Sequence, residues 1–376
     1  MLALLLAAQG LLVPLLAAVL PEDRADVLYH SYRGGGIEVD GPSILLRKQL
    51  GKYSSISANY YVDSITSASI DVDATTSASP YDERREEKSI GADFLFDKTL
   101  MSLGYTTSTE NDFEARTVAF GISQDMFGDL TTVSLGYVRG WNDIGMTGNP
   151  AFSRQSDSQR FRVGISQIVT KNLIMALNFE TVADEGFLNN PYRSVRYVDP
   201  GSAQGYSFEP EAYPRTHTSN AVALRARYHL PIRASLSGEY RYYNDSWGIS
   251  AYNIGLGYTQ AWRDHWLFDL KYRYYAQGNA DFYSDLFPYR DAQNFMARDK
   301  ELSSFTTQTA GLGISYEVRP GGLGFIDRGS VNLSYDHIFF DYDDFRDLTR
   351  NGFPAGQEPL YSFDADVLQL YLSVWY

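Results

Sequence analysis

The chain has 376 residues, with 29 tyrosines, 31 glycines, no cysteine and a formal net charge of −14. The lack of cysteine excludes a disulfide framework, a thiolate metal site and a cysteine nucleophile. The acidic balance argues against binding to nucleic acid, whose phosphates require a basic surface. Tyrosine at this abundance is unusual in a soluble enzyme, but it is expected where aromatic girdles meet lipid headgroups.

The N-terminus carries the one long apolar stretch, residues 1–20. Because Gln9 and Pro14 interrupt it, a secretory signal peptide is a better interpretation than a transmembrane helix. The segment lacks the Lys or Arg that normally precedes the apolar core of such a signal. We expect cleavage after Ala17 or Ala18, so that residues 1–18 are the signal peptide and residues 19–376 form a single domain.

The rest of the chain repeats one unit: an alternating apolar and polar run of about ten residues, a tight turn, a second run and a long polar loop. Runs of this length match a tilted membrane strand. The predicted tight turns are Gly51-Lys52-Tyr53, Asp97-Lys98, Phe127-Gly128-Asp129, Thr170-Lys171-Asn172, His229-Leu230-Pro231 and Trp262-Arg263-Asp264. Tight turns on one side and long loops on the other are typical of outer-membrane barrels; a soluble sandwich with one wet face is the alternative.

The last ten residues favour the barrel. Five side chains share one face of the final strand and end on an aromatic residue: Leu368, Leu370, Leu372, Val374 and Tyr376. This pattern resembles the C-terminal membrane-insertion signal of outer-membrane barrels in Gram-negative bacteria. It therefore predicts contact with the barrel-assembly machinery and a location in the outer membrane, among lipid and lipopolysaccharide.

The strand count follows from parity. About fifteen segments run from residue 42 to the C-terminus, and bacterial single-chain barrels close with an even number of strands. Residues 26–32 supply the missing strand, so the sequence predicts an all-β, transmembrane, antiparallel up-and-down barrel of about 16 strands. A barrel of 14 strands with the N-terminal segment as a plug is the alternative.

Charged residues in the middle of the chain fall on the face opposite to the apolar one. Arginine facing lipid at the bilayer midplane costs about 2–4 kcal/mol, so these side chains are expected to line the lumen. The predicted lumen-lining residues are Arg160, Arg162, Arg225, Arg227, Glu239, Arg241, Asp269, Lys271 and Arg273. In the first half of the chain, small residues occupy that face. A wall of small residues opposite a charged wall resembles the constriction of a porin. Mutual pairing of the charges in a polar lumen is the alternative.

Catalysis and metal binding have weak support. Of the five histidines, His217 is the only plausible catalytic candidate, and no nucleophile or acid–base constellation accompanies it. The acidic segment 341–347 has the carboxylate density of a cation site without the ordered spacing of a calcium loop. We therefore predict no enzyme activity, no catalytic residue, no metal and no cofactor.

Four stretches resemble a proteobacterial family of exported proteins that is defined only as a domain of unknown function. They are PEDRADVLYHSY (21–32), GGGIEVDGPS (34–43), YYVDS (60–64) and SQDMFGDL (123–130). Members of that family are often encoded beside a small lipoprotein, a thioredoxin-like protein and a flavin transferase. The resemblance thus implies a surface or redox-linked export system, and it supplies no catalytic residue or substrate.

Two functions remain open at this point. The first is a porin-like or gated conduit that selects solutes by charge. The second is a structural or docking barrel with a plugged lumen that holds a periplasmic or lipoprotein partner. Whether the lumen is open distinguishes them.

Overall fold

A computed structural model describes residues 19–67, 81–318 and 326–376. The barrel strands have 11 to 19 residues, and all except β1 and β5 exceed the roughly 9–11 residues that cross a bilayer, so these strands extend beyond the membrane. The first nine strands are β1 (Arg24–Gly34), β2 (Ile37–Leu50), β3 (Ser54–Ser67), β4 (Tyr81–Phe96), β5 (Thr99–Thr109), β6 (Phe113–Met126), β7 (Thr131–Ile144), β8 (Arg154–Thr170) and β9 (Leu173–Gly186). The others are β10 (Ser194–Val198), β11 (Tyr206–Pro210), β12 (Thr216–Leu230), β13 (Ala234–Asp245), β14 (Ser250–Trp262), β15 (Trp266–Gln277), β16 (Phe305–Val318), β17 (Arg328–Arg346) and β18 (Leu360–Trp375).

The sheet closes on itself. Every barrel strand pairs antiparallel with its neighbours, and β1 closes the ring by pairing with both β2 and β18. Only β10 and β11 stand apart, as a hairpin inside the connection from β9 to β12. The prediction of a 16-stranded transmembrane barrel is confirmed, and the 14-stranded alternative is wrong, because β1 is a wall strand whose backbone is bonded on both sides.

The outer face of the barrel is apolar and exposed. On β18, Leu368, Leu370 and Leu372 are 41%, 38% and 39% exposed, while Ala365 on the opposite parity is buried. The same alternation holds on β8, where Phe161 and Val163 point outward. A continuous apolar outer face of this kind suits contact with lipid.

The tight turns lie close to where the sequence predicts them, with three shifts. Thr170 ends β8 and Trp262 ends β14, so these two turns begin one residue later than predicted, and the β12–β13 turn begins two residues later. The β12–β13 turn is formed by Pro231, Ile232 and Arg233, so that His229 and Leu230 belong to β12 instead. Arg233 has a positive φ of 58°, which allows the reversal. Proline at the start of the turn fits because its fixed φ suits the first turn position and it lacks the N–H that a strand needs.

A glycine allows β2 and β3 to approach closely. The pairing between the two strands is interrupted at Gly41 and Pro42, and it resumes in the same register, with Asp40 opposite Ser64 and Ser43 opposite Tyr61. At Gly41 a Cβ would lie 1.8 Å from the carbonyl oxygen of Val62. The close approach of the two backbones therefore requires glycine here.

Parts of the sequence predictions lie outside the described residues. The proposed signal peptide, residues 1–18, is one of them, and most of the first long loop and of the β16–β17 connection are others. Within residues 19–67, 81–318 and 326–376, no helix is long and apolar enough to cross a bilayer.

Candidate functional site: the charged inner wall and the loop cap

The charged residues predicted for the lumen occupy alternate positions on four strands. Their neighbours on each strand, such as Phe161, Leu224, Tyr240 and Leu270, are the exposed apolar residues of the outer face. Side chains alternate across a strand, so the charged set points into the barrel. The strands and residues are β8 with Arg160 and Arg162, β12 with Arg225 and Arg227, β13 with Glu239 and Arg241, and β15 with Asp269, Lys271 and Arg273.

Three of these arginines converge on one carboxylate. The Nε of Arg162 lies 2.7 Å from an oxygen of Glu180, and the Nε of Arg160 lies 3.8 Å from the same oxygen. Arg241 approaches the other oxygen at 3.7 Å. One carboxylate thus serves three cations, which leaves an excess of positive charge. Glu180 was not among the residues predicted for the lumen, because a single glutamate on β9 carries no motif.

Two further ion pairs lie along the same wall. Arg225 pairs with Glu239 on the neighbouring strand, and Lys271 donates to Asp336 on β17. Asp269 accepts a hydrogen bond of 2.5 Å from Thr259. Mutual pairing, the alternative raised by the sequence, therefore accounts for part of the charged wall.

Two arginines of the charged wall lie outside these ion pairs. In the parts of the chain that the structure describes, neither Arg227 nor Arg273 contacts a carboxylate; Arg273 instead lies over the ring of Tyr275 at 5.7 Å. The Lys271 and Arg225 side chains are 53% and 38% exposed although they point inward. Water therefore reaches this wall, and its local charge is positive in a chain whose net charge is −14.

Long connections at one end of the barrel fold together into what we call the loop cap, residues 187–215, 278–304 and 347–359. Arg196 on β10 is fully buried at its centre. Its guanidinium bonds Glu358 at 2.6 Å and also pairs with the carboxylate of Asp285, while Arg298 lies 3.0 Å from that same carboxylate. One arginine thus joins all three connections, because each supplies one member of the contact.

The loop cap packs on the inner wall. Its apolar core contains Phe282, Tyr283 and Leu302 of the 278–304 connection together with Tyr342 of β17. Tyr342 shares a strand face with the inward residues of β17, and Phe305, Tyr361 and Phe363 pack against the same cluster. The 278–304 connection is therefore a folded-in loop, which the sequence analysis did not find. The available signal was the pair of inward aromatics at the outer ends of β17 and β18, which would be costly to leave in water.

Two buried or half-buried histidines are held by carboxylates. His217, at the outer end of β12, lies between Asp184 of β9 at 3.3 Å and Asp245 of β13 at 3.0 Å. His30 on β1 contacts Asp63 on β3 at 2.7 Å in a buried position. The first contact joins neighbouring strands, and the second reaches across β2. Within the described ranges, no group of three or more His, Asp or Glu side chains is arranged to hold a metal ion.

The C-terminal strand has the geometry that its pattern predicts. Leu368, Leu370, Leu372 and Tyr376 are exposed on the outer face. The Tyr376 hydroxyl donates a hydrogen bond of 3.1 Å to the carbonyl of Arg47, across the junction with β1. Tyr376 is therefore hydrogen-bonded to β2, the strand that lies beyond β1 in the ring.

The fold defines an outer-membrane type of β-barrel. A family model described as "Protein of unknown function (DUF3570)" matches residues 71–326, so the chain belongs to this family, and the resemblance predicted from the sequence is confirmed. None of the curated proteins matches the chain.

Solved structures show the same architecture. A bacterial polysaccharide outer membrane secretin is 6% identical, with a TM-score of 0.52 over 95% of this chain and 99% of that one. The siderophore receptor PirA from Pseudomonas aeruginosa is 11% identical, with a TM-score of 0.46 over 87% of this chain and 60% of the receptor. A Pseudomonas aeruginosa FadL homologue is 11% identical, with a TM-score of 0.42 over 94% and 90%. The chain spans 60% of the length of that receptor, and at these identities the likeness concerns the fold alone.

Proposed function

We propose that this barrel is a solute conduit of the Gram-negative outer membrane and that its lumen prefers anions. The observation that carries the proposal is the cationic excess on the inner wall, above all Arg227 and Arg273, which have no carboxylate partner among the described residues. A hydrated ring of cations lowers the electrostatic barrier to anions and raises it for cations.

The opposite wall leaves room for a solute. Gly91, Gly104, Gly121 and Gly136 follow one another across β4, β5, β6 and β7, on the face that points inward. Their lack of side chains widens the lumen facing the arginines. The loop cap narrows the extracellular mouth from the β13–β18 side, so the geometry supports a restricted passage.

The outer surface supports the membrane location. Its exposed leucine, phenylalanine and tyrosine side chains match the lipid-facing band of such barrels. We further propose that the barrel-assembly machinery recognises the C-terminal strand, whose outward face runs from Leu368 to Tyr376, and inserts the chain into the outer membrane.

Planar-bilayer recording of the refolded protein tests the conduit. We expect stable single-channel steps and a reversal potential that shows anion selectivity in a salt gradient. In the double variant Arg227→Ala/Arg273→Ala, selectivity should move toward cations. The matched control is Lys88→Ala/Arg116→Ala, which removes the same charge from exposed side chains of the outer parity.

One observation favours a second candidate, the docking barrel for a periplasmic or lipoprotein partner. The loop cap occupies part of the mouth and is held by buried ion pairs. A folded, heat-modifiable protein that gives no conductance would overturn the conduit and support this second function.

A further inference from the structure

A cleft opens in the extracellular loops, apart from the charged inner wall. It has a volume of about 380 Å³ and lies between the β13–β14 turn and the 278–304 connection. Its lining includes Trp247, Asp281, Phe282, Gln293, Asn294 and Phe295. The volume falls in the range of small-ligand sites, roughly 300–1,000 Å³.

The aromatic part of the cleft is rigid. Trp247 donates its indole N–H to the carbonyl of Thr216 at 3.0 Å and packs edge-on against Tyr213 and Phe282. Asp245 accepts hydrogen bonds from the backbone N–H groups of Trp247 and Ile249. Phe295 lines the same cleft and is 43% exposed. Because Trp247 is already held in place, a ligand that binds against it causes little loss of side-chain entropy there.

The polar part of the cleft is exposed to solvent and free to bind. In the portion of the chain that the structure describes, the exposed side chains of Asp281, Gln293 and Asn294 make no hydrogen bond within the protein. Two amides and a carboxylate together offer both donors and acceptors within one cleft.

From these features we propose that the cleft binds a neutral saccharide. A sugar ring presents a face of C–H groups to an aromatic ring and hydroxyl groups that donate and accept at its edge, which matches Phe295 with the two amides and Asp281. The unpaired Asp281 carboxylate disfavours acidic sugars, because a second negative charge would meet it without a counter-ion. The cleft would thus serve recognition at the cell surface independently of the conduit.

The source of the saccharide is free carbohydrate outside the cell. The cleft residues belong to loops that pack on inward-facing aromatics such as Tyr342, so the cleft sits over the barrel and away from the lipid-facing outer surface. Lipopolysaccharide of the same membrane would have to bend over the rim to reach it.

The test is saturation-transfer NMR and titration calorimetry on the full-length folded barrel. The probes are a neutral oligosaccharide, maltohexaose, and an acidic one, a hyaluronan hexamer. We expect maltohexaose to bind and the hyaluronan hexamer to bind more weakly or not at all. Phe295→Ala should weaken binding by about tenfold, as the loss of an aromatic contact with its buried area predicts. Asp281→Asn should reduce the preference for the neutral sugar.

Tyr289→Ala is the matched control, since Tyr289 is an exposed aromatic of the same connection that does not line the cleft. It should leave the affinity unchanged, and both aromatic variants should keep the conductance of the parent. Three outcomes would overturn the proposal: no binding of the neutral probe, equal affinity in Phe295→Ala, or tighter binding of hyaluronan. Competition by purified lipopolysaccharide would overturn the assignment to free saccharide.

Discussion

Lys271 donates a hydrogen bond of 2.6 Å to Asp336 across Gly311, which lies between them on the intervening strand β16. A Cβ at Gly311 would lie 2.1 Å from the Asp336 carboxylate and 2.3 Å from the Lys271 side chain. The ion pair on β15 and β17 therefore exists because the residue between its members has no side chain.

Gly311→Val should separate this pair and push Lys271 into the lumen. Because Lys271 is 53% exposed, the pair contributes little to stability, about 0.2–1 kcal/mol, so the barrel should still fold. Single-channel conductance should fall, since a branched side chain and a displaced lysine narrow the passage. Gly238→Ala is the control, because a Cβ there meets nothing within 4 Å. Equal conductance in both variants would contradict the lumen geometry.

Arg196→Met should loosen the loop cap without unfolding the barrel. The substitution leaves the carboxylates of Asp285 and Glu358 buried beside an apolar side chain, which costs about 3–5 kcal/mol locally. We expect faster hydrogen exchange and proteolysis in residues 278–304, with the heat-modifiable barrel intact. Arg290→Ala, at an arginine whose side chain is 70% exposed, should change neither. Protection equal to that of the parent in Arg196→Met would show that the apolar cluster alone holds the cap.

The loop cap should also weaken in acid. Burial is the largest single effect and would raise the pKa of Glu358. The hydrogen bond and the charge of Arg196, together with backbone hydrogen bonds such as the one from Gly356, outweigh burial and hold the pKa below the ordinary value of 4.5. A carboxyl whose pKa is lowered by folding stabilises the folded state above its unfolded pKa, and that contribution is lost as the pH falls through the folded value. The protection factors of the amide hydrogens in residues 347–359, that is their exchange relative to an unfolded chain at the same pH, should therefore fall below about pH 4.5. In Glu358→Gln the contribution is absent at every pH, and this fall in protection should shrink.

The sequence predicted the barrel well because its signal is repeated. Apolar and polar residues alternate along each strand, so the inward and outward faces assigned to one strand are checked by those of the next. Closure of the barrel also imposes an even number of strands. The same logic placed Arg160 and Lys271 on the inward face. It could not find the Arg196 contact, whose partners Asp285 and Glu358 are distant in sequence and lie in loops without periodicity. Nor could it find the cleft at Phe295, since only the fold of the 278–304 connection brings that residue close to Trp247.

Leu28→Pro tests the role of β1 as a wall strand. Leu28 lies in the middle of β1, paired with Tyr371 of β18 on one side and Ser43 of β2 on the other. Proline has no N–H to donate and is disfavoured where a strand is bonded on both sides, so the closure of the barrel should fail. The natural Pro42 in β2 lies where the pairing with β3 is interrupted, a relief that Leu28 lacks. We expect loss of the heat-modifiable band on electrophoresis. Val19→Pro, at an exposed residue ahead of β1, should fold normally. A folded, more conductive Leu28→Pro protein would instead indicate that β1 acts as a removable plug, because only a plug can be lost without opening the wall.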